Sequence, residues 1–165
     1  MSYFYIQKMP FLKVHRSRIE EILRKNGIFN ETEIQVALEL VDDCILGKNE
    51  YSIHVAVENN TSNTIGYICF GKRPLTDGVY DLYWIVLDPE YHHKGVGHEL
   101  LVSFEEEVKH QNGRLILAET SSRQVYLKAR NFYSKNGYKV IASIDDFYGP
   151  QDSLLIYGKY LAHQT

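Results

Sequence analysis

The stretch "DPEYHHKGVGHELL", residues 88–101, sets Lys94, Gly95 and Gly97 between an apolar run of strand character and one of helix character. From Val96 the apolar residues Val96, Leu100, Leu101, Phe104 and Val108 recur at helical spacing, which starts the helix near Gly95 to Gly97. The first backbone N–H groups of a helix have no intrahelical partner, and the helix dipole adds partial positive charge there. A phosphate can take several such amides at once where glycine keeps side chains out of its approach. No Gly-Lys-Ser/Thr is present, which excludes a P-loop, and position 100 is leucine where a dinucleotide fingerprint needs its third glycine. On spacing alone, a tight strand-to-helix turn is the simpler account of the glycines.

Other reactive side chains have plain structural explanations. Glu119 closes the run "RLILAE", where a carboxylate can cap amides or pair with Lys or Arg. Tyr133 in "NFYSKNGY" reads from its pattern as a core tyrosine. His92, His93 and His98 share no single helical face, and no cysteine or carboxylate completes a ligand spacing, so no metal site is expected. Cys69 sits in an apolar strand pattern as a small buried hydrophobe. Glu105, Glu106 and Glu107 read as a solvated helix face. Asp145, Asp146 and Asp152 flank a hairpin, either shaping its turn or forming a rim that attracts a cation.

The elements that must position these residues alternate along the chain. "FLKVHRSRIEEILRKNG" carries Leu12, Ile19, Ile22 and Leu23 at helical spacing and stops at Gly27. "NETEIQVALELVDDCIL" opens with Asn30 as N-cap and Glu33 three residues on, and places Ile34, Leu38, Val41 and Ile45 on one face. "YSIHVAVEN" and "TIGYICFG" form a hairpin around the Asn59–Asn63 cluster. "VYDLYWIVLD" and "RLILAE" are nearly continuous apolar runs, as suits strands covered on both faces. A helix in "VYLKARNFYSKNG" and a last hairpin turning at Gly149 and Pro150 complete the order. The class is mixed α/β with one central sheet.

Composition narrows the function. A chain of 165 residues with 44% hydrophobic content suits one globular domain spanning 1–165. A net charge of -3, a pI near 6.2 and the lack of a basic run argue against nucleic acid. No stretch has the length or apolarity of a membrane span or the pattern of a signal peptide, and Cys44 and Cys69 are the only cysteines, so a reduced, cytoplasmic protein is expected.

Taken together, the strand ending in "VLDPEY", the basic loop into Gly-x-Gly, an amphipathic helix, a strand ending in Glu and a helix carrying "ARNFYSKNGY" resemble the GCN5-related N-acetyltransferase (GNAT) family, from about Ile53 to Lys159. The C-terminal half is similar to bacterial ribosomal-protein N-terminal acetyltransferases. The resemblance implies a mixed sheet of about seven strands flanked by about four helices. It also implies an acetyl-CoA-dependent transfer to a primary amine, which could be a small molecule, a peptide N-terminus or a lysine. The family's pyrophosphate loop falls on His92, His93, Lys94, Gly95, Val96 and Gly97, with His98 following; His92 replaces an Arg or Gln, and His93 a residue that is often glycine. Backbone amides of Ile85, Val86 and Leu87 would hold the pantetheine arm and the thioester carbonyl, with the arm lying between the fourth and fifth strands. Tyr133 takes the position of the acid that protonates the departing sulfur, a phenol of ordinary pKa about 10. Glu119 takes that of the base. Tyr126 stands where many relatives have asparagine. The acceptor would enter opposite CoA, between the early helices and the last hairpin, against Tyr83, Asp146 and Tyr148. A homodimer is left open, and a non-catalytic acyl-CoA-binding domain is the alternative.

Overall fold

A computed structural model of the protein describes residues 3–8, 13–48 and 51–161. Leu12 lies outside the described residues. The order is β1 (Phe4–Gln7), α1 (Lys13–Asn26), α2 (Glu31–Ile45), β2 (Tyr51–Glu58), β3 (Thr64–Lys72), β4 (Val79–Leu87), α3 (Val96–His110), β5 (Leu115–Ser121), α4 (Leu127–Lys135), β6 (Lys139–Gly149) and β7 (Asp152–Tyr160). The strands form one mixed seven-stranded sheet in the order β1-β2-β3-β4-β5-β7-β6. Two compact units divide the chain: Met1–Lys72 with Tyr83–Glu107, and Arg73–Leu82 with Val108–Thr165.

In the first unit, β1 pairs antiparallel with β2, and β2 with β3. Because side chains alternate along a strand, the odd positions Ile53, Val55, Val57, Tyr67 and Cys69 share one face. They pack with Ile19, Ile22 and Leu23 of α1 and Ile34, Ala37, Leu38 and Val41 of α2. The even positions face α3: His54 Nδ1 lies 2.7 Å from Ser103 Oγ, and the Phe70 and Phe104 rings are 4.4 Å apart. Full burial on both faces explains why β2 and β3 are buried almost without interruption. α2 starts as its sequence dictates, with Asn30 and Glu33 exchanging side-chain and backbone bonds in a capping box, a device that contributes about 1 kcal/mol.

One reading is corrected here. Glu105 is not on a solvated face; it is 8% exposed, whereas Glu106 is exposed. Position 105 lies one turn beyond Leu101 and three residues before Val108, so it shares the buried stripe of α3. Glu107 is partly exposed and pairs with Lys8 at 3.6 Å.

In the second unit, β4 and β5 run parallel, and their ladder extends from Val79↔Leu115 to Leu82↔Ala118. β5 pairs antiparallel with β7, and β7 with β6. α4 buries Tyr133, whose ring lies 5.5 Å from that of Tyr157 and 5.9 Å from that of Tyr138. The last hairpin turns between Gly149 and Asp152, as the Gly-Pro pair requires.

Candidate active site

The loop into α3 is built in two steps. Asp88 follows β4 and caps a 3-10 turn at Pro89–Tyr91, accepting from the Glu90 amide at 3.1 Å. The chain then passes through two left-handed residues, His93 at φ 61° and Gly95 at φ 83°. Glu99 makes the first α-helical bond, its N–H donating to the Gly95 carbonyl at 3.1 Å. The amides of Val96, Gly97 and His98 therefore come before the first intrahelical bond, at the positive end of the helix dipole. Val96 is fully buried and fixes the helix start, while His93, Lys94 and Gly95 are exposed.

Neighbouring aromatics brace this loop. Tyr3 Oη donates to the Lys94 carbonyl at 3.3 Å, and the Lys94 ammonium lies 4.9 Å from the centre of the Tyr91 ring. Tyr91 Oη donates to Glu58 Oε1 at 2.8 Å; that bond, with burial, pushes the phenol up to about 12. The Thr61 and Tyr91 hydroxyls hold the Glu58 carboxyl below its usual range.

His93 stands where the GNAT loop often has glycine, and it adopts the conformation that glycine would. A non-glycine residue in the left-handed region costs roughly 1–2 kcal/mol, offset in part because glycine is freer when unfolded. His93→Gly is expected to stabilise the protein by about 0.5–1 kcal/mol, a rise of about 1–4 °C in melting temperature. A fall on thermal melting would show that the imidazole itself supports the loop.

In the same unit Ile85, Val86 and Leu87 lie on β4, with Val86 packed into the core beneath α1 and α2. The Leu87 carbonyl accepts from Asn26 Nδ2 at 2.9 Å. Tyr83 is partly exposed and meets Tyr51 edge to face at 5.2 Å.

The second unit carries Tyr133 and Glu119. Tyr133 is 6% exposed, and burial pushes its phenol well above the ordinary value, so it stays protonated at any working pH. Arg130, one turn earlier, donates to the carbonyls of Ser121 at 2.8 Å and Arg123 at 2.7 Å, tying α4 to the end of β5. Glu119 is the exposed position of β5 and accepts from Arg73 Nη2 at 3.0 Å. Arg73 is itself fixed by both oxygens of Asp81, at 3.0 and 2.9 Å from its Nε. Those bonds, the Asp81 one foremost, raise the guanidinium's pKa. Tyr148 is half exposed, and its pKa is raised by burial and then by the charges of Glu119 and Asp152. Asp146 is left-handed, and its carboxylate accepts from the Gln151 amide at 2.6 Å, which is turn chemistry. Tyr126 precedes the first residue of α4.

Sequence reasoning missed Arg73 and Asp81. The signal was an aspartate inside the apolar run "VYDLYWIVLD", since an acid at a buried strand position needs a cationic partner. Among the described residues, no group of three or more His, Cys, Asp or Glu could hold a metal ion. No described helix is long and apolar enough to cross a membrane.

The chain thus sets a glycine-bearing loop between β4 of a mixed sheet and the N-terminus of α3. Residues 49–140, more than half of the chain, match the family described as the acetyltransferase (GNAT) domain. The chain is 33% identical to an acetyltransferase assigned to the GNAT family from Desulfovibrio desulfuricans, covering 96% of this chain and 99% of that one at a TM-score of 0.90. A PaiA N-acetyltransferase from Thermoplasma acidophilum, in complex with coenzyme A, is 22% identical over 98% of this chain and 100% of its own, with a TM-score of 0.72. The ribosomal-protein-S18-alanine N-acetyltransferase from Escherichia coli is 14% identical over 98% and 97%, also with a TM-score of 0.72. No curated protein matches the chain at a significant level. The chain belongs to the GNAT acetyltransferase family.

Proposed function

We propose that the protein moves the acetyl group of acetyl-CoA onto a primary amine by direct attack. The amine nitrogen forms a bond to the thioester carbonyl carbon, the carbon–sulfur bond breaks, the thiolate takes a proton from Tyr133, and the surplus proton on the new amide nitrogen restores the Tyr133 phenol. The ammonium form of the acceptor first gives its proton to Glu119. The leading amides of α3, around Gly95, Val96 and Gly97, receive the pyrophosphate, with His92, His93, Lys94 and His98 about them. Backbone groups of Ile85, Val86 and Leu87 receive the pantetheine arm and the carbonyl. The observation that carries this reading is the Glu99-to-Gly95 bond, which leaves three successive amides ahead of the helix ladder in a family that uses acetyl-CoA.

The acceptor we favour is a cationic amine, small or at a peptide N-terminus. The charges of Glu119 and Asp152 act on Tyr148, and Asp145 and Asp146 directly precede the half-exposed Phe147 and Tyr148 rings, so carboxylates gather beside these two rings. Carboxylates and aromatic faces attract a cation before it surrenders its proton. A panel of amines and unblocked peptides, followed by thiol release from acetyl-CoA, tests this. Cationic acceptors should outperform anionic ones. A panel without turnover by a chain that binds CoA would support the non-catalytic alternative.

For Glu119→Gln, activity should fall most near neutral pH, where most amine is protonated, and recover at high pH as free amine appears. Because Glu119 also holds Arg73, an equal loss at every pH in the rate profile would assign it that structural task alone.

We also treat residues 1–165 as one acetyltransferase domain, which the 99% coverage of the Desulfovibrio chain supports. A cytoplasmic location is supported by two unbridged, buried cysteines, Cys44 and Cys69. A homodimer is supported by β6, which stands last in the strand order with Val140, Ile141 and Ile144 about half exposed. Sedimentation over a range of concentrations tests it.

A further inference from the structure

We infer that Asp88 is a positioning residue for the loop ahead of α3, its buried carboxylate gripped by Arg18 and Lys25 of α1 so that the amides of Val96, Gly97 and His98 converge on one anion. The inference rests on that loop receiving the pyrophosphate. The Asp88 side chain is 1% exposed, at the point where β4 gives way to the loop. Its Oδ2 accepts from Arg18 Nη2 at 2.5 Å, and its Oδ1 from Lys25 Nζ at 2.9 Å and the Glu90 amide at 3.1 Å. Its own N–H donates to the Ile65 carbonyl, and its carbonyl accepts from the Tyr91 amide, both at 2.9 Å. Burial pushes the carboxyl's pKa up, but the bonds from Lys25 and the Glu90 amide and the charges of Lys25 and Arg18 outweigh that, so it stays ionised.

The grip extends along one face of α1. Residues 18, 22, 25 and 26 recur at helical spacing. Arg18 Nε also donates to the Thr64 carbonyl at 3.1 Å, and Lys25 Nζ reaches Glu90 at 2.7 Å. Asn26 Nδ2 bridges the Ile22 and Leu87 carbonyls at 2.8 and 2.9 Å. Capping the short turn at Pro89 would need only a hydrogen-bond acceptor, which asparagine or serine supplies. Two cations converging on a buried carboxylate exceed that need. Downstream, the left-handed His93 and Gly95 turn the chain twice before the helix begins, so the direction of the first amides depends on where the loop starts. Losing one amide hydrogen bond to a charged phosphate there costs roughly 10- to 100-fold in affinity.

The test compares CoA with pantetheine, which lacks the pyrophosphate, by calorimetry and ligand-observed NMR, with melting curves recorded for each variant. The parent should bind CoA far more tightly than pantetheine. Asp88→Asn, which keeps the cap but removes the charge, should weaken CoA by about 10- to 100-fold and leave pantetheine within about threefold. Lys25→Met, which leaves the Arg18 contact, should show a smaller loss of the same selectivity and carries the test if Asp88→Asn does not fold. Equal losses for both ligands, or unchanged CoA affinity in folded variants, would overturn the positioning role alone. A parent that binds both ligands equally would overturn the pyrophosphate loop itself, and this inference with it.

Discussion

Tyr133→Phe is expected to lower kcat by about 10²- to 10⁴-fold while leaving CoA affinity within about threefold. That loss corresponds to roughly 3–5 kcal/mol of barrier, the usual contribution of a positioned acid. On the proposed mechanism the departing thiolate takes its proton from Tyr133, whose phenol burial keeps protonated across the whole working range. Its raised pKa fixes the sign of the pH dependence: Tyr133 is in its donating form below that value, so it gives no alkaline fall in kcat through pH 10. Phenylalanine keeps the ring that packs on Tyr138 and Tyr157 and removes only the hydroxyl. Melting temperature and the affinity for CoA therefore report packing, and kcat reports proton transfer. Unchanged turnover, measured where chemistry limits the rate, would leave Tyr133 as a core residue.

Gly95→Val is expected to weaken CoA binding by about 10- to 100-fold. Gly95 has φ 83°, and a Cβ built there meets nothing within 4 Å. The penalty is therefore conformational and not a clash: a β-branched residue is forced from the left-handed region, so the loop re-routes and the amides behind it lose their common aim. Asparagine visits that region readily, so Gly95→Asn should bind CoA nearly as well as the parent. Calorimetry on both variants separates the backbone requirement from any loss of side-chain space. If valine and asparagine bind CoA alike, at parental strength, the turn is not part of the CoA site.

Much of this protein was determined by its sequence read locally. The stripe from Val96 to Val108, the Asn30–Glu33 capping box and the Gly149–Pro150 turn each act over a few residues, so periodicity and turn chemistry locate α3, the start of α2 and the last hairpin. The glycine loop and the tyrosine helix were legible for the same reason, since each is a short segment with its own geometry. Only the tertiary structure decided which charges meet. Arg73 lies 46 positions from Glu119, and Arg18 lies 70 from Asp88. A charge has no periodicity that names its partner; strand order does, and β5 pairs with β7 before β6. Burial was likewise decided by packing. Glu105 looked like its two neighbours in sequence, yet one step around α3 placed it on the buried stripe, and Tyr133 owes its persistent proton to the rings that close over it. Composition limits how much apolar surface a chain can bury, but which titratable group is left without water depends on what folds against it.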